Sequence, residues 1–116
     1  IYASIAMENI IKAEISNKIE VIVGDALDVI PKIKTKFDLL FLDAAKEEYL
    51  YYLKLTEKNL RKGSIVVADN VGIFYHHVKN YLDYVRNSGK YESRTIKTKL
   101  EFSEDEDAIE VSFKKF

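Results

Sequence analysis

The stretch Phe37-Asp38-Leu39-Leu40-Phe41-Leu42-Asp43-Ala44-Ala45-Lys46 decides the fold. It begins as a run of apolar and aromatic residues of the kind that fills a buried strand. The run stops at an acid, and a helical pattern begins a few residues later. A short apolar run bounded by turn signals and followed by a helical period reads as one β-α unit of a parallel sheet. In open α/β sheets the ligand crevice lies just beyond the carboxyl ends of the strands. Asp43 stands at that position, and Ala68-Asp69-Asn70 closes the next strand-like run in the same way.

Upstream of this unit, Ala3, Ala6, Met7, Ile10 and Ile11 form the stripe of an amphipathic helix, broken at Ser16-Asn17. Residues 19–23 are a β-branched run that predicts a strand, closed by Gly24-Asp25. Residues 26–33 predict only a turn or two of helix, because Pro31 lies inside them.

Downstream, Tyr49, Tyr52, Leu53, Thr56 and Leu60 fall on one helical face, and Arg61-Lys62-Gly63 reads as the basic, glycine-closed end of that helix. Residues 64–68 form a second buried-type strand. A loop at 71–73 leads to a helix with Phe74, Val78, Tyr81, Leu82 and Val85 on its inner side, stopped by Asn87-Ser88-Gly89. Two final strands, near 91–98 and 108–113, flank the acidic run 101–107, expected to be a solvated loop tip that keeps an edge hairpin soluble. Ile109, Val111 and Phe113 alternate with Glu110, Ser112 and Lys114, which predicts the first set buried and the second wet. The order is α-β-α-β-α-β-α-β-β: an α/β fold with parallel units first and an antiparallel hairpin last.

Composition narrows the function classes. At 116 residues the chain is one domain at most, and 47% hydrophobic with 32% charged residues is ordinary for a globular protein. The absence of cysteine excludes disulfides, thiolate zinc sites and cysteine nucleophiles. A net charge of -1 gives no basic excess to attract nucleic acid. No apolar run is long enough for a membrane helix, and a cytoplasmic protein is expected. The chain opens on Ile1 inside an uncapped helical pattern, so it is expected to be the later part of a longer polypeptide.

The chemistry lies at the strand ends. Asp43, Asp69 and Asn70 would bring two carboxylates and an amide together, hard oxygen donors suited to Mg²⁺ or Ca²⁺. Lys46, three residues after Asp43, would reach the same crevice; beside a divalent cation its pKa would fall, making it a general base. The plainer alternative is that Asp43 caps the following helix and Asp69-Asn70 is a turn. His76 and His77 point about 100° apart on a helix and cannot chelate one ion together. Tyr49, Tyr52 and Tyr81 fall on apolar faces and are expected in the core. Asp38, at the entering end of its strand, is expected to be structural.

Three segments carry a resemblance. Val23-Gly24-Asp25-Ala26, residues 37–49 and Gly63-Ser64-Ile65-Val66-Val67-Ala68-Asp69-Asn70-Val71 resemble the cation-dependent, S-adenosylmethionine-dependent O-methyltransferases, which include the catechol and caffeoyl-CoA enzymes. The pairing of Asp-Ala-x-Lys-x-x-Tyr with a later Asp-Asn is the specific part. The resemblance implies a Rossmann-like class I methyltransferase sheet, mostly parallel, with strand order 3-2-1-4-5-7-6. It implies that Asp43, Asp69 and Asn70 hold Mg²⁺ or another divalent cation and that Lys46 takes the proton from the hydroxyl to be methylated. Gly24, Asp25, Ala26 and Asp43 would border the cofactor, with Asp25 facing its adenine.

The departures are equally specific. The glycine-rich cofactor loop, the ribose-binding acid and strands 1 and 2 are not in these residues, which form a partial domain. That leaves a gap between the runs at 19–23 and 37–42. These residues alone are therefore expected neither to fold as the family does nor to bind the cofactor fully. Ala45 replaces a residue often polar, and Gly72-Ile73-Phe74 stands where relatives often carry a Leu-Trp-type segment, so the acceptor need not be a familiar phenol. It would be a hydroxyl beside a second oxygen, on a small molecule or on a tRNA base. Exposed tyrosine- and isoleucine-rich faces permit a homodimer. The rival readings are a non-catalytic remnant of the fold that serves as an interaction module, and a metal-independent methyltransferase.

Overall fold

The computed structural model describes residues 1–100 and 103–116. It contains strands β1 (Phe37–Leu42), β2 (Leu60–Ala68), β3 (Tyr91–Lys99) and β4 (Glu106–Lys114), and helices α1 (Tyr2–Lys12), α2 (Ala26–Val29), α3 (Tyr49–Thr56) and α4 (Lys79–Asn87). The strands form one sheet in the order β1-β2-β4-β3. β1 and β2 are parallel, joined through α3, while β4 runs antiparallel to both β2 and β3. This is the sequence-predicted plan, a parallel unit followed by an antiparallel hairpin.

The core lies between one sheet face and helices α3 and α4. Tyr49 and Leu53 from α3 meet Tyr81 and Val85 from α4 over Val66 of β2, and all five are fully buried. The Tyr49 and Tyr81 rings pack edge to face at 5.8 Å, an arrangement worth roughly 0.5–1.5 kcal/mol beyond their area. Tyr52 is buried beside them, as its helical spacing predicts. Asp38 pairs with Arg61 at 2.9 Å on the surface, a structural role far from the strand ends.

Residues 19–23 do not form the predicted strand: they lie outside the sheet and have no regular secondary structure. A β-branched run becomes a strand only when a neighbouring edge takes its N–H and C=O groups, and among the described residues none pairs with it. The predicted helix end at Arg61-Lys62-Gly63 is also corrected. α3 stops at Thr56, a 3₁₀ turn covers Glu57–Asn59, and β2 begins at Leu60. Gly63, with φ +82°, lies where the β1–β2 register jumps from Phe37↔Leu60 to Leu39↔Ile65. The glycine serves a strand irregularity that needs positive φ. Phe74 lies outside α4 and is exposed, because a 3₁₀ turn at Tyr75–His77 intervenes; Val78, Tyr81, Leu82 and Val85 do face inward. Helix α1 forms as its stripe predicts, yet none of its residues is buried.

In β4 the expected faces are reversed. Ala108, Glu110 and Ser112 are the buried set, and Phe113 is 41% exposed on the opposite face, with Leu39 and Phe41 also exposed there. Alternation of apolar and polar residues misleads here because the polar set is satisfied internally. The Glu110 carboxylate accepts from Arg86 Nε and Nη2, from Ser93 Oγ and from Thr95 Oγ1. Desolvation pushes the Glu110 pKa up, but the bonds from Arg86, Thr95 and Ser93 outweigh it, and the net direction is down.

A carboxyl whose folded-state pKa is depressed adds stability that is present above its unfolded value, here 4.5, and lost as pH falls through the lower folded value. Glu110→Gln is therefore expected to lower the unfolding temperature at neutral pH and to flatten its decline under acid. Thermal denaturation followed by circular dichroism across pH reads both effects. An unchanged acid slope in the variant would show that Glu110 is not a source of the acid sensitivity.

Candidate active site

The parallel ladder runs one step past the strands, for the Asp69 N–H donates to the Leu42 carbonyl at 3.0 Å. Asp43 and Asp69 thus leave adjacent strand ends at the same level. Beyond Ala44-Ala45, a 3₁₀ turn at Lys46–Glu48 leads into α3 and turns the Lys46 side chain back toward Asp43. Lys46 Nζ donates to Tyr49 Oη at 2.6 Å, to Asn70 Oδ1 at 3.2 Å and to Asp43 Oδ1 at 3.3 Å. The Tyr49 hydroxyl donates in turn to the Asp69 carbonyl at 3.1 Å. The Phe74 ring lies 5.6 Å from the ammonium.

The Lys46 side chain is 13% exposed while that of Asp43 is 49% exposed, so the ammonium is the inner member of the pair. Burial lowers the Lys46 pKa, but the hydrogen bond and charge of Tyr49, and then those of Asp43, outweigh it and hold it above the ordinary lysine value. The helix-capping alternative for Asp43 is not realised: the turn and helix that follow start at Ala45 and Glu48 with no side-chain cap. The turn alternative for Asn70 describes its backbone, at φ +60°. Its side chain does more, linking Lys46 on one side to Asp107 Oδ2, 2.7 Å away, on the other.

Asp107 corrects an expectation. It does not belong to a solvated tip; it is 6% exposed. Its Oδ1 accepts from the backbone N–H groups of Gly72 and Ile73 at 3.1 and 3.0 Å. Burial works against its charge, and the bonds from Asn70, Ile73, Ala108 and Gly72 more than compensate, so its pKa lies below the usual carboxylate value. Residues 101 and 102 of the same acidic run lie outside the described residues. Nothing in the charge run singles out Asp107, and the inward position of Ala108 directly after it is visible only in the structure. Helical spacing marks Tyr49 as core, and its spacing of three from Lys46 also puts its hydroxyl within reach of the amine.

The loop after β2 lies hard against β4. A Cβ on Gly72 would come within 2.7 Å of the Ala108 nitrogen and 2.8 Å of the Asp107 carbonyl carbon. Both neighbours are backbone and cannot give way cheaply. Gly72→Ala is expected to destabilise the protein by about 1–3 kcal/mol, as overpacking does, read as a lower urea midpoint. A wild-type midpoint would mean the loop moves aside freely.

Gly24, Asp25 and Ala26 lie apart from this cluster's hydrogen bonds. Asp25 caps α2 by accepting from the Leu27 N–H at 2.9 Å, and Gly24 before it takes φ +153°. His77 Nδ1 sits 2.9 Å from a Glu47 carboxylate oxygen. A cleft of about 500 Å³ opens beside the cluster, with Asp69, Asn70, Thr98, Lys99 and Asp107 in its walls. Among the described residues, no group of three or more His, Cys, Asp or Glu side chains gathers as a metal site. The donor set is two carboxylates with an amide, which fits a hard cation that keeps positions for other oxygens.

A sequence model described as O-methyltransferase matches residues 1–110. The chain belongs to the O-methyltransferase family. Catechol O-methyltransferase B of Danio rerio is 42% identical over 96% of this chain and 44% of its own length. Catechol O-methyltransferase of Bos taurus is 34% identical over 94% of this chain and 42% of its own. The chain thus spans less than half the length of these two relatives.

Two solved structures show the fold. The O-methyltransferase of Bacillus cereus, in complex with SAH, aligns with a TM-score of 0.86 at 22% identity, over 97% of this chain and 58% of its own. TomG of Streptomyces achromogenes, in complex with SAM, gives 0.88 at 22% identity over 98% and 57%. The order β1-β2-β4-β3 matches the 4-5-7-6 half of the implied class I sheet. The expectation that these residues depart from the family arrangement therefore fails for the sheet. It holds only for residues 19–23, which find no strand partner among the described residues. No helix of the described residues is long and apolar enough to cross a membrane.

Proposed function

We propose that this chain carries the cation-binding and proton-accepting side of an S-adenosylmethionine-dependent O-methyltransferase acting on a small molecule with a hydroxyl beside a second oxygen. One observation carries the reading: the ammonium of Lys46 already sits between Asp43 Oδ1 and Asn70 Oδ1. Oxygen donors from two strand ends thus surround one positive charge. Asp43, Asp69 and Asn70 would hold the divalent cation, with Gly24, Asp25, Ala26 and Asp43 bordering the cofactor. When bound, the cation supplies charge that acidifies a chelated hydroxyl, and S-adenosylmethionine supplies the methyl group.

The chain's own residues do the rest. Lys46, as the free amine, accepts the hydroxyl proton at Nζ. Tyr49 keeps that nitrogen over the strand ends by accepting from it while donating to the Asp69 carbonyl. Phe74 gives the crevice an apolar wall beside the amine and helps to exclude water.

Methyl transfer from labelled S-adenosylmethionine to catechols, hydroxycinnamoyl thioesters and hydroxylated tRNA, with Mg²⁺ or with a chelator, tests the reading. Transfer that needs Mg²⁺ supports it. Transfer indifferent to the chelator favours the metal-independent rival, and no cofactor binding by the native protein favours the non-catalytic one.

A further inference from the structure

We propose that Asp107 is a positioning residue that fixes which end of the Asn70 amide faces the candidate cation centre; this rests on the reading in which Asn70 is a ligand. A carboxamide presents an oxygen at one end and an NH₂ at the other, and half a turn about its terminal torsion exchanges them. Only the oxygen can ligate a cation. The choice of end must therefore be imposed by a neighbour.

Asp107 imposes it. An ionised carboxylate only accepts hydrogen bonds, so the end of Asn70 that lies 2.7 Å from Asp107 Oδ2 must be the NH₂. The oxygen is then left facing Lys46 Nζ, at 3.2 Å. Asp107 is itself held in place, since its other oxygen accepts from Gly72 and Ile73 N–H. The Val71 N–H donates to the Ala108 carbonyl at 3.0 Å, tying the Asn70 loop to the strand that carries Asp107. Asn70 at φ +60° sits at the pivot between these bonds. The last acid of an acidic run thus sets the polarity of a ligand 37 residues earlier.

Asp107→Asn separates orientation from anchoring. Its amide oxygen can still accept from Gly72 and Ile73, while its NH₂ now faces Asn70 and favours the flipped ligand. With Mn²⁺ alone as the probe, read by electron paramagnetic resonance on the native protein, the variant is expected to bind about 10- to 100-fold more weakly, the usual cost of losing an outer-shell partner. Its S-adenosylmethionine affinity stays at the wild-type value, and Asp107→Glu restores part of the Mn²⁺ affinity.

A variant with wild-type Mn²⁺ affinity and a lower melting temperature would overturn the proposal, leaving Asp107 only a loop anchor. Wild-type protein that binds no Mn²⁺ would instead overturn the metal reading itself, and this inference with it. If Asp107→Asn does not fold, hydrogen exchange of the wild-type Asn70 side-chain amide decides. Exchange much slower than at the side chain of exposed Asn17 supports the clamp; equal exchange overturns it.

Discussion

Lys46→Ala is expected to lower kcat/KM for methyl transfer by about 10²- to 10⁴-fold, the usual contribution of a positioned general base. S-adenosylmethionine affinity should change far less, because Lys46 reaches the proposed cofactor border only at Asp43, at 3.3 Å. The pH dependence follows from the sign of the charge. A base works in its deprotonated form, so the wild-type rate rises with pH. Without a cation, burial lowers the Lys46 pKa but Tyr49 and Asp43 hold it above the ordinary lysine value, so the free amine is scarce near neutrality.

In the alanine variant the rising limb should disappear. Lys46→Arg keeps the positive charge but offers no proton acceptor, so it should be nearly as impaired as the alanine. An arginine variant close to wild type would reduce Lys46 to a charge partner of Asp43.

Asp69→Ala is the second large effect. Asp69 ends β2 beside Asp43, and its Oδ1 accepts from the Asn70 N–H at 2.8 Å. The truncation would remove one of two carboxylates from the donor set and free the turn that presents the third ligand. A metal ion acting as a Lewis acid is worth several kcal/mol of transition-state stabilisation. Loss of about 3 kcal/mol corresponds to roughly a hundredfold in rate. The variant is expected to fall by at least about that factor and to lose its response to Mg²⁺, with residual activity the same in a chelator. Activity that still rises with Mg²⁺ would place the cation elsewhere.

The strand-end geometry was legible in the sequence because two independent signals agree on it. An apolar run that stops at an acid locates the carboxyl end of a parallel strand, and a lysine three residues on must lie beside that acid. Asp43, Lys46 and Asn70 do share one hydrogen-bonded cluster, and Asp69 borders it. Tyr49, Tyr81 and Val85 declared themselves core through helical spacing.

What was not legible depended on neighbours that local pattern cannot supply. Residues 19–23 have strand composition but no edge to pair with among the described residues. Glu110 and Ser112 read as wet because Arg86, Ser93 and Thr95, which satisfy them, come from α4 and β3. Gly63 imitates a helix end because glycine suits any positive φ. Asp107 was hidden among its acidic neighbours, although it reaches back to the loop after β2.

The most direct measurement is an anomalous difference map from crystals of the native protein soaked in Mn²⁺. A single peak within coordinating distance of oxygens from Asp43, Asp69 and Asn70, with Lys46 displaced toward an acceptor, is the expected result. A peak elsewhere, or carboxyl groups of residues 43 and 69 turned away from one another in the occupied protein, would contradict a shared centre at the two strand ends.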